Sequence, residues 1–162
     1  MRALEGTLRV ACERGDFRLA HYSILRDHLH LIVEADDRRA LGRGMQSIGA
    51  RVARAVNRVL RRRGQVLLER FHLRILRTPS EVRNALSYVL NNLRKHLGVR
   101  ASRVGCIDPA SSGAWFTGWR EGAGRVPRSP APIAAARTWL LRVGWQRHGL
   151  LDPSEVPGAR KT

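Results

Sequence analysis

Two histidines separated by a single residue are the first candidates for chemistry. His28-Leu29-His30 begins a segment, 28–34, whose alternating pattern predicts a β-strand. Successive side chains of a strand point to opposite faces, so both imidazoles are expected on one face. Two imidazole nitrogens directed at one point suit a divalent metal ion that keeps other positions open for substrate oxygens. A pair of hydrogen-bonded sheet histidines has the same spacing, and a third ligand would separate the two interpretations.

A tyrosine and an asparagine form the second candidate pair. Tyr88 and Asn92 are four residues apart in a predicted helix, so they are expected to share a face. Neither lies on the apolar stripe of that helix, which leaves the tyrosine hydroxyl able to face a site above the sheet. A half-buried structural tyrosine is the alternative. Asn91 and Asn92 are poor helix formers, and this local cost suggests another use for them.

The charge of the chain indicates a polyanionic partner. Lys and Arg number 30 against 13 acids, a formal charge of +17, and only Lys95 and Lys161 are lysines. Arginine codon bias explains the Arg/Lys ratio but not the net charge, so nucleic acid is the favoured partner class. One side of a predicted helix over 41–59, with the turn beyond it, carries a one-signed row of arginines: Arg51, Arg54, Arg58, Arg61 and Arg62.

The elements that must position these residues follow from periodicity and from helix-end signals. Strands are predicted over 17–25, 28–34 and 66–77, and helices over 3–14, 41–59 and 79–96. Thr78-Pro79-Ser80-Glu81 combines a capping Thr, a proline at the first helical position and a Glu that completes a capping box. The order helix, strand, strand, helix, strand, helix predicts a ferredoxin-like α+β fold: an antiparallel sheet with helices on one face and its first strand missing.

The composition changes after Gly98. Glycines and prolines interrupt any period, so the chain is predicted to divide into a domain over 1–98 and a linker with a helical tail over 99–162. The tail contains a short predicted helix over 132–145. All four tryptophans lie in this second part, where they could stack on bases or pack onto the surface of the domain.

Other function classes are disfavoured. Charged residues interrupt the N-terminal apolar pattern, which argues against a signal peptide, and no stretch is long enough to span a membrane. Cys12 and Cys106 stand far apart, without the spacing of a zinc site or a disulfide framework. We therefore expect a cytoplasmic, nucleoid-associated protein with reduced thiols and no membrane partner.

The two candidate pairs resemble motifs of one enzyme family. The segment Ser23–Glu34, with His28-Leu29-His30 at its centre, is similar to the histidine-hydrophobic-histidine (HUH) motif of single-tyrosine transposases. Tyr88-Val89-Leu90-Asn91-Asn92 resembles the tyrosine motif of the REP-associated tyrosine transposases. The resemblance covers roughly residues 13–98, including Arg70-Phe71-His72 and Arg77-Thr78-Pro79, and extends more loosely to the tail.

The resemblance implies a role for each matching residue. His28, His30 and Asn92 would hold Mg²⁺ or Mn²⁺ against a scissile phosphate, and Tyr88 would attack that phosphate to form a 5′-phosphotyrosine. Lys95 would assist the tyrosine. The arginines at 51, 54, 58, 61 and 62 would contact backbone phosphates of single-stranded or hairpin DNA. Whether the protein is a monomer or a homodimer, with the site in one chain or shared, stays open.

The sequence departs from the family at two points. Family members begin with a strand before the first helix, whereas this chain starts in the helix; a misplaced start, a strand from another chain, or a remnant are the alternatives. Leu93 also replaces a proline after the paired asparagines. A second hypothesis is therefore a truncated module that binds DNA or RNA without cleaving it. A third, an RNA-binding ferredoxin-like domain, requires stacking aromatics, and only Phe17 and Tyr22 are available.

Overall fold

The computed structural model describes residues 2–11, 13–67, 71–92, 107–120, 127 and 129–157. Helices and strands are mixed along the chain, which confirms the predicted α+β class. The regular elements are α1 (Arg2–Ala11), β1 (Glu13–Arg14), β2 (Phe17–Ile24), β3 (Leu29–Ala35), α2 (Arg38–Val59), α3 (Pro79–Leu90) and α4 (Trp139–Arg142). Two 3₁₀ turns, Ser112–Trp115 and Gly144–His148, accompany them.

The strands form a sheet in the order β1-β2-β3. β1 pairs antiparallel with β2, with Glu13 opposite Arg18 and Arg14 opposite Phe17. Four residues connect β2 to β3, too few for the crossover that parallel strands require, so these two strands form a hairpin. The Leu25 amide donates to the His28 carbonyl at 2.9 Å and closes the turn. The predicted strand pair is therefore confirmed.

The predicted amphipathic helix is α2, which starts where the Asp37 side chain accepts from the Ala40 amide. Its buried positions are Ala40, Gly44, Ile48, Val52 and Ala55, at three- and four-residue spacing. Gly44 allows close packing, because a Cβ built there would clash with the Phe17 ring. α1 packs against α2 as well.

The capping box predicted at the start of α3 is present. The Thr78 hydroxyl accepts from the Glu81 amide at 3.2 Å, and the Glu81 carboxylate accepts from the Thr78 amide at 3.1 Å. Within α3, Arg83 is buried and donates to both carboxylate oxygens of Glu155 and to the carbonyls of Gly149 and Leu150. This arginine fixes the segment around 149–155 to the helix.

The predicted strand over 66–77 is wrong for the residues of that range that the structure describes. Residues 66–67 and 71–77 form no strand. Phe71, Leu73 and Ile75 alternate as a strand face would, but they are 47%, 56% and 60% exposed. The alternation is present in the sequence, but residues 66–67 and 71–77 do not join the sheet.

The segment after residue 106 is more ordered than a linker. Ser111, Ser112, Phe116 and Trp119 are buried, and Ser111 forms an antiparallel bridge with Ser23 of β2. Residues 107–120 thus contain buried side chains and a bridge to β2, where the sequence predicted a linker. The predicted helix over 132–145 is also shorter than expected, since only α4 and the following 3₁₀ turn are helical there.

By internal packing the chain consists of two compact units. One comprises Met1–Ala20, Val33–Ile75 and Pro132–Ala135, and the other comprises His21–Ile32, Leu76–Ala131 and Ala136–Thr162. Both units draw on separate stretches of sequence, whereas the sequence predicted one boundary between residues 98 and 99. In the part of the chain that the structure describes, no helix has the length and apolar character needed to cross a membrane.

Candidate active site

The two histidines of the His-x-His segment meet at their Nε2 atoms. His28 ends the turn after β2, directly before β3 begins at Leu29, and His30 lies in β3. Their Nε2 atoms are 3.1 Å apart, and the ring centroids are 4.7 Å apart at an interplanar angle of 83°. The two nitrogens thus lie close together, as the spacing predicts.

Asp27 sets the protonation pattern of the first histidine. Its Oδ1 lies 2.7 Å from Nδ1 of His28. A carboxylate accepts only, so Nδ1 carries the proton and the lone pair of the neutral ring is on Nε2, the atom that faces His30. A carboxylate behind a histidine is the usual means of orienting a metal-ligating imidazole. The sequence analysis assigned Asp27 only to the turn, although an acid directly before the first histidine was a visible signal.

Tyr88 contacts this histidine pair from α3. Its ring centroid is 4.9 Å from that of His30, in an edge-on arrangement at 73°, and its side chain is half-buried. Fifty-eight positions separate the two residues in sequence. The structure therefore brings His28, His30 and Tyr88 into one cluster, which makes the predicted site spatially possible. The chemical role of each residue stays a prediction.

Asn92 lies beyond the helix that carries Tyr88. α3 ends at Leu90, with Asn91 as its C-cap, and Asn92 is again helical, so the single helix predicted over 79–96 is interrupted at Asn91. The shared face of Tyr88 and Asn92 stays a prediction. Asn92 is also fully buried, with 0% exposure, contrary to the prediction that it lies off the core. Its neighbour Asn91 donates to the Asp152 carbonyl at 3.0 Å. This bond holds the turn that follows α3.

The amide group of Asn92 is unusual in its burial. Within the described residues, neither Oδ1 nor Nδ2 has a hydrogen-bond partner, although both are buried. A buried polar group without a partner costs about 1–3 kcal/mol, so such a group calls for an explanation. Coordination of a bound metal ion by Oδ1 would explain why that oxygen is buried without a hydrogen-bond partner.

The histidine pair fits a divalent metal ion. Metal–imidazole bonds of roughly 2.0–2.1 Å place two adjacent ligand nitrogens about 3 Å apart when they bind at a right angle, close to the 3.1 Å between the two Nε2 atoms. The same distance suits a hydrogen bond between a donor and an acceptor nitrogen. Within the described residues no group of three or more His, Cys, Asp or Glu side chains could hold a metal. A third protein ligand would therefore have to be of another type, such as an amide oxygen.

The predicted DNA-contacting arginines lie on α2 and in the turn that follows it. Arg54, Arg58, Arg61 and Arg62 are exposed and Arg51 is half-buried. Arg62 donates to the Asn57 side chain and to the Gln65 carbonyl, so its guanidinium also stabilises the turn. Arg61 has a positive φ of 50°, which marks the sharp end of the helix. Lys95, the predicted helper of the tyrosine, lies outside the described residues.

Comparison with known proteins identifies no relative. No family model matches the chain, and neither the curated proteins nor the solved structures contain a match.

Proposed function

We propose that this protein cleaves and rejoins single-stranded DNA, with Tyr88 as the nucleophile and with His28 and His30 as ligands of a divalent metal ion. The observation that carries the proposal is the contact of the Tyr88 ring with His30, whose Nε2 lies 3.1 Å from that of His28. A nucleophile next to a potential metal site is the minimum arrangement for phosphoryl transfer to a protein side chain.

Asn92 would complete the ligand set through Oδ1. Its buried amide without a described partner and the tautomer that Asp27 imposes on His28 support this assignment. Mg²⁺ or Mn²⁺ held there would polarise a phosphoryl oxygen and neutralise charge that develops on it. Imidazole ligands favour Mn²⁺ over Mg²⁺.

The covalent step balances without an external energy source. The Tyr88 oxygen loses its proton and bonds to phosphorus, while the bond from phosphorus to the 3′ oxygen of the neighbouring nucleotide breaks. That oxygen takes up a proton and becomes a free 3′-OH, and the other strand end stays attached as a 5′-phosphotyrosine. Attack by a 3′-OH on the same phosphorus reverses the step and rejoins DNA. Such chemistry serves transposition or the processing of repeated DNA elements, as expected of the transposases that the motifs resemble.

The arginines on α2 support a nucleic-acid partner independently of cleavage. A net charge of +17 and a one-signed row of guanidinium groups, four of the five exposed, favour binding to backbone phosphates. The alternative function is therefore a protein that binds DNA or RNA through these arginines and does not cut it.

The test uses the two tyrosines of the chain. Protein is incubated with labelled, hairpin-bearing single-stranded DNA and Mn²⁺, and a denaturation-resistant adduct is measured. We expect the adduct in wild type, its complete loss in Tyr88→Phe, and its retention in Tyr22→Phe, because Tyr22 is 0% exposed and unable to reach DNA. His28→Ala should also lose the adduct, whereas His148→Ala, at an exposed histidine, should keep it.

The outcomes separate the two functions. An adduct that persists in Tyr88→Phe would refute the proposed nucleophile. DNA binding without any adduct in wild type would favour the non-cleaving alternative. Mass spectrometry of the digested adduct should find the nucleotide on the peptide that contains Tyr88.

A further inference from the structure

The four tryptophans divide into a packed group and one exposed member. Trp119 and Trp145 are 7% and 2% exposed, and Trp115 donates from its indole nitrogen to the Ser129 carbonyl. Trp139 is 49% exposed. About half of this large aromatic side chain is therefore open to a ligand, whereas Trp119 and Trp145 are buried.

Trp139 is nevertheless held in a defined position. It is the first residue of α4, and the Thr138 hydroxyl caps that helix by accepting from the Leu141 amide. The six-membered part of its ring lies so close to Gly144 that a Cβ there would be 2.6 Å from the ring. Backbone packing of this kind restricts the ring, so its exposed surface is preorganised for a ligand.

The surroundings of the ring are cationic. The guanidinium carbon of Arg147 lies 4.7 Å from the Trp139 ring centroid, a cation–π distance. Arg142 and Arg147 are both exposed within ten residues of the tryptophan. An exposed indole beside guanidinium groups combines a stacking surface with charges that attract phosphates.

We propose that Trp139 is a stacking platform for an unpaired base of a single-stranded nucleic acid, with Arg147 and Arg142 near the adjoining phosphates. This inference rests on the proposed function only in its choice of single-stranded DNA as the main ligand. An acidic protein would also be attracted by the arginines, but the flat face of an indole matches the π-face that every base presents. Bases in a duplex are stacked on each other and present no free face to the ring.

The test separates base stacking from charge attraction. Binding is measured by fluorescence anisotropy in the absence of divalent metal, with three labelled strands of equal length: oligothymidylate, oligouridylate and an abasic deoxyribose-phosphate strand. We expect wild type to bind both base-containing strands more tightly than the abasic strand. Trp139→Ala should weaken binding to the base-containing strands by about five-fold or more and should leave binding to the abasic strand nearly unchanged.

Two further variants control for folding and for loss of any tryptophan. Trp139→Phe keeps an aromatic face and should retain most of the affinity, and Trp115→Phe should bind as wild type does. An equal loss on the abasic strand, or no loss on the base-containing strands, would overturn the platform. A preference for oligothymidylate would identify DNA as the source of the base, and a preference for oligouridylate would identify RNA.

This experiment and the adduct assay fail in different ways. The stacking measurement needs neither metal nor cleavage, so a protein that forms no adduct can still show the Trp139-dependent preference for bases. Conversely, the adduct could form normally while Trp139→Ala binds all three strands as wild type does. That result would refute the stacking proposal and would leave the nuclease proposal intact.

Discussion

β2 and residues 71–77 were both predicted as strands, and only β2 is one. All eight residues of β2 are buried, although three of them, Arg18, His21 and Ser23, are polar. Residues 71–77 have the cleaner alternation, yet their apolar side chains at 71, 73 and 75 are about half exposed. The segment with the more regular alternation, 71–77, is thus not a strand, whereas the less regular β2 is one.

The difference lies in the partners that each segment finds. β2 has neighbours on both sides in the order β1-β2-β3. Two of its three polar residues also have hydrogen-bond partners: Arg18 donates to the Gly15 carbonyl at 3.2 Å, and the Ser112 hydroxyl lies 3.2 Å from Nδ1 of His21. An alternating pattern indicates which face of a strand would be apolar. A strand forms only where the backbone of another strand pairs with it.

Truncating one leucine in each segment tests this comparison most strongly. Leu19 in β2 is 0% exposed and Leu73 is 56% exposed. Leu19→Ala should lower the free energy of unfolding by about 2–5 kcal/mol, because it removes buried methyl groups and leaves a cavity. Leu73→Ala should change it by no more than roughly 0.5 kcal/mol, as is usual for an exposed side chain.

The measurement is urea unfolding followed by circular dichroism, with both variants at the same protein concentration. Equal losses would break the comparison, since they would mean that residue 73 is buried in solution. A concentration-dependent loss for Leu73→Ala alone would point instead to burial of that face between molecules.

A second, smaller loss of stability is expected when a hydrogen bond from the backbone of β2 to a serine distant in sequence is removed. The Tyr22 amide donates to the Ser112 hydroxyl at 3.1 Å, and both residues are 0% exposed. Ser112→Ala leaves that buried amide without this acceptor, so we expect a loss of about 1–3 kcal/mol in unfolding free energy. Ser80→Ala, at an exposed position in α3, should have almost no effect. Equal unfolding midpoints for the two variants would contradict the role given to Ser112.

Local signals made part of the fold predictable. The start of α3 was readable because Thr78, Pro79 and Glu81 act within one turn, and the bonds they predict are present. The approach of His28 and His30 was readable from their spacing, since the two residues are only two positions apart. In both cases the atoms that interact are held by a few neighbouring residues, so no knowledge of distant packing was needed.

Non-local contacts explain what the sequence did not reveal. Residues 107–120 look like a linker because glycine and proline hide their pattern, yet Ser111 pairs with Ser23 some 88 positions away. Asn92 was predicted off the core, but it is fully buried, and burial depends on packing that the local helix pattern does not reveal. The contact of Tyr88 with His30 was suggested only by a family resemblance, because nothing local joins the two residues.

The smallest expected effect concerns the turn that leads into β2. Asp16 lies between β1 and β2 and forms ion pairs with Arg43 and Arg14. The hydrogen bond from Arg43, aided by the charge of Arg14, holds the pKa of the Asp16 carboxyl below its usual value, although burial opposes this shift. Arg43→Gln should therefore raise that pKa, and nuclear magnetic resonance titration of the carboxyl measures it directly.

The sign of the accompanying stability change follows from the lowered pKa. The contribution of Asp16 is fully present above the pKa of aspartate in the unfolded chain, about 3.9, and it is lost as pH falls through the lower folded value. Wild type should thus unfold at slightly higher urea than Arg43→Gln at pH 7, and this gap should close on acidification through that window. Arg39→Gln, at an exposed arginine one turn earlier in α2, should show neither change. An unshifted Asp16 titration in Arg43→Gln would mean that this ion pair does not organise the turn, and that β2 owes its position to burial and to its hydrogen bonds alone.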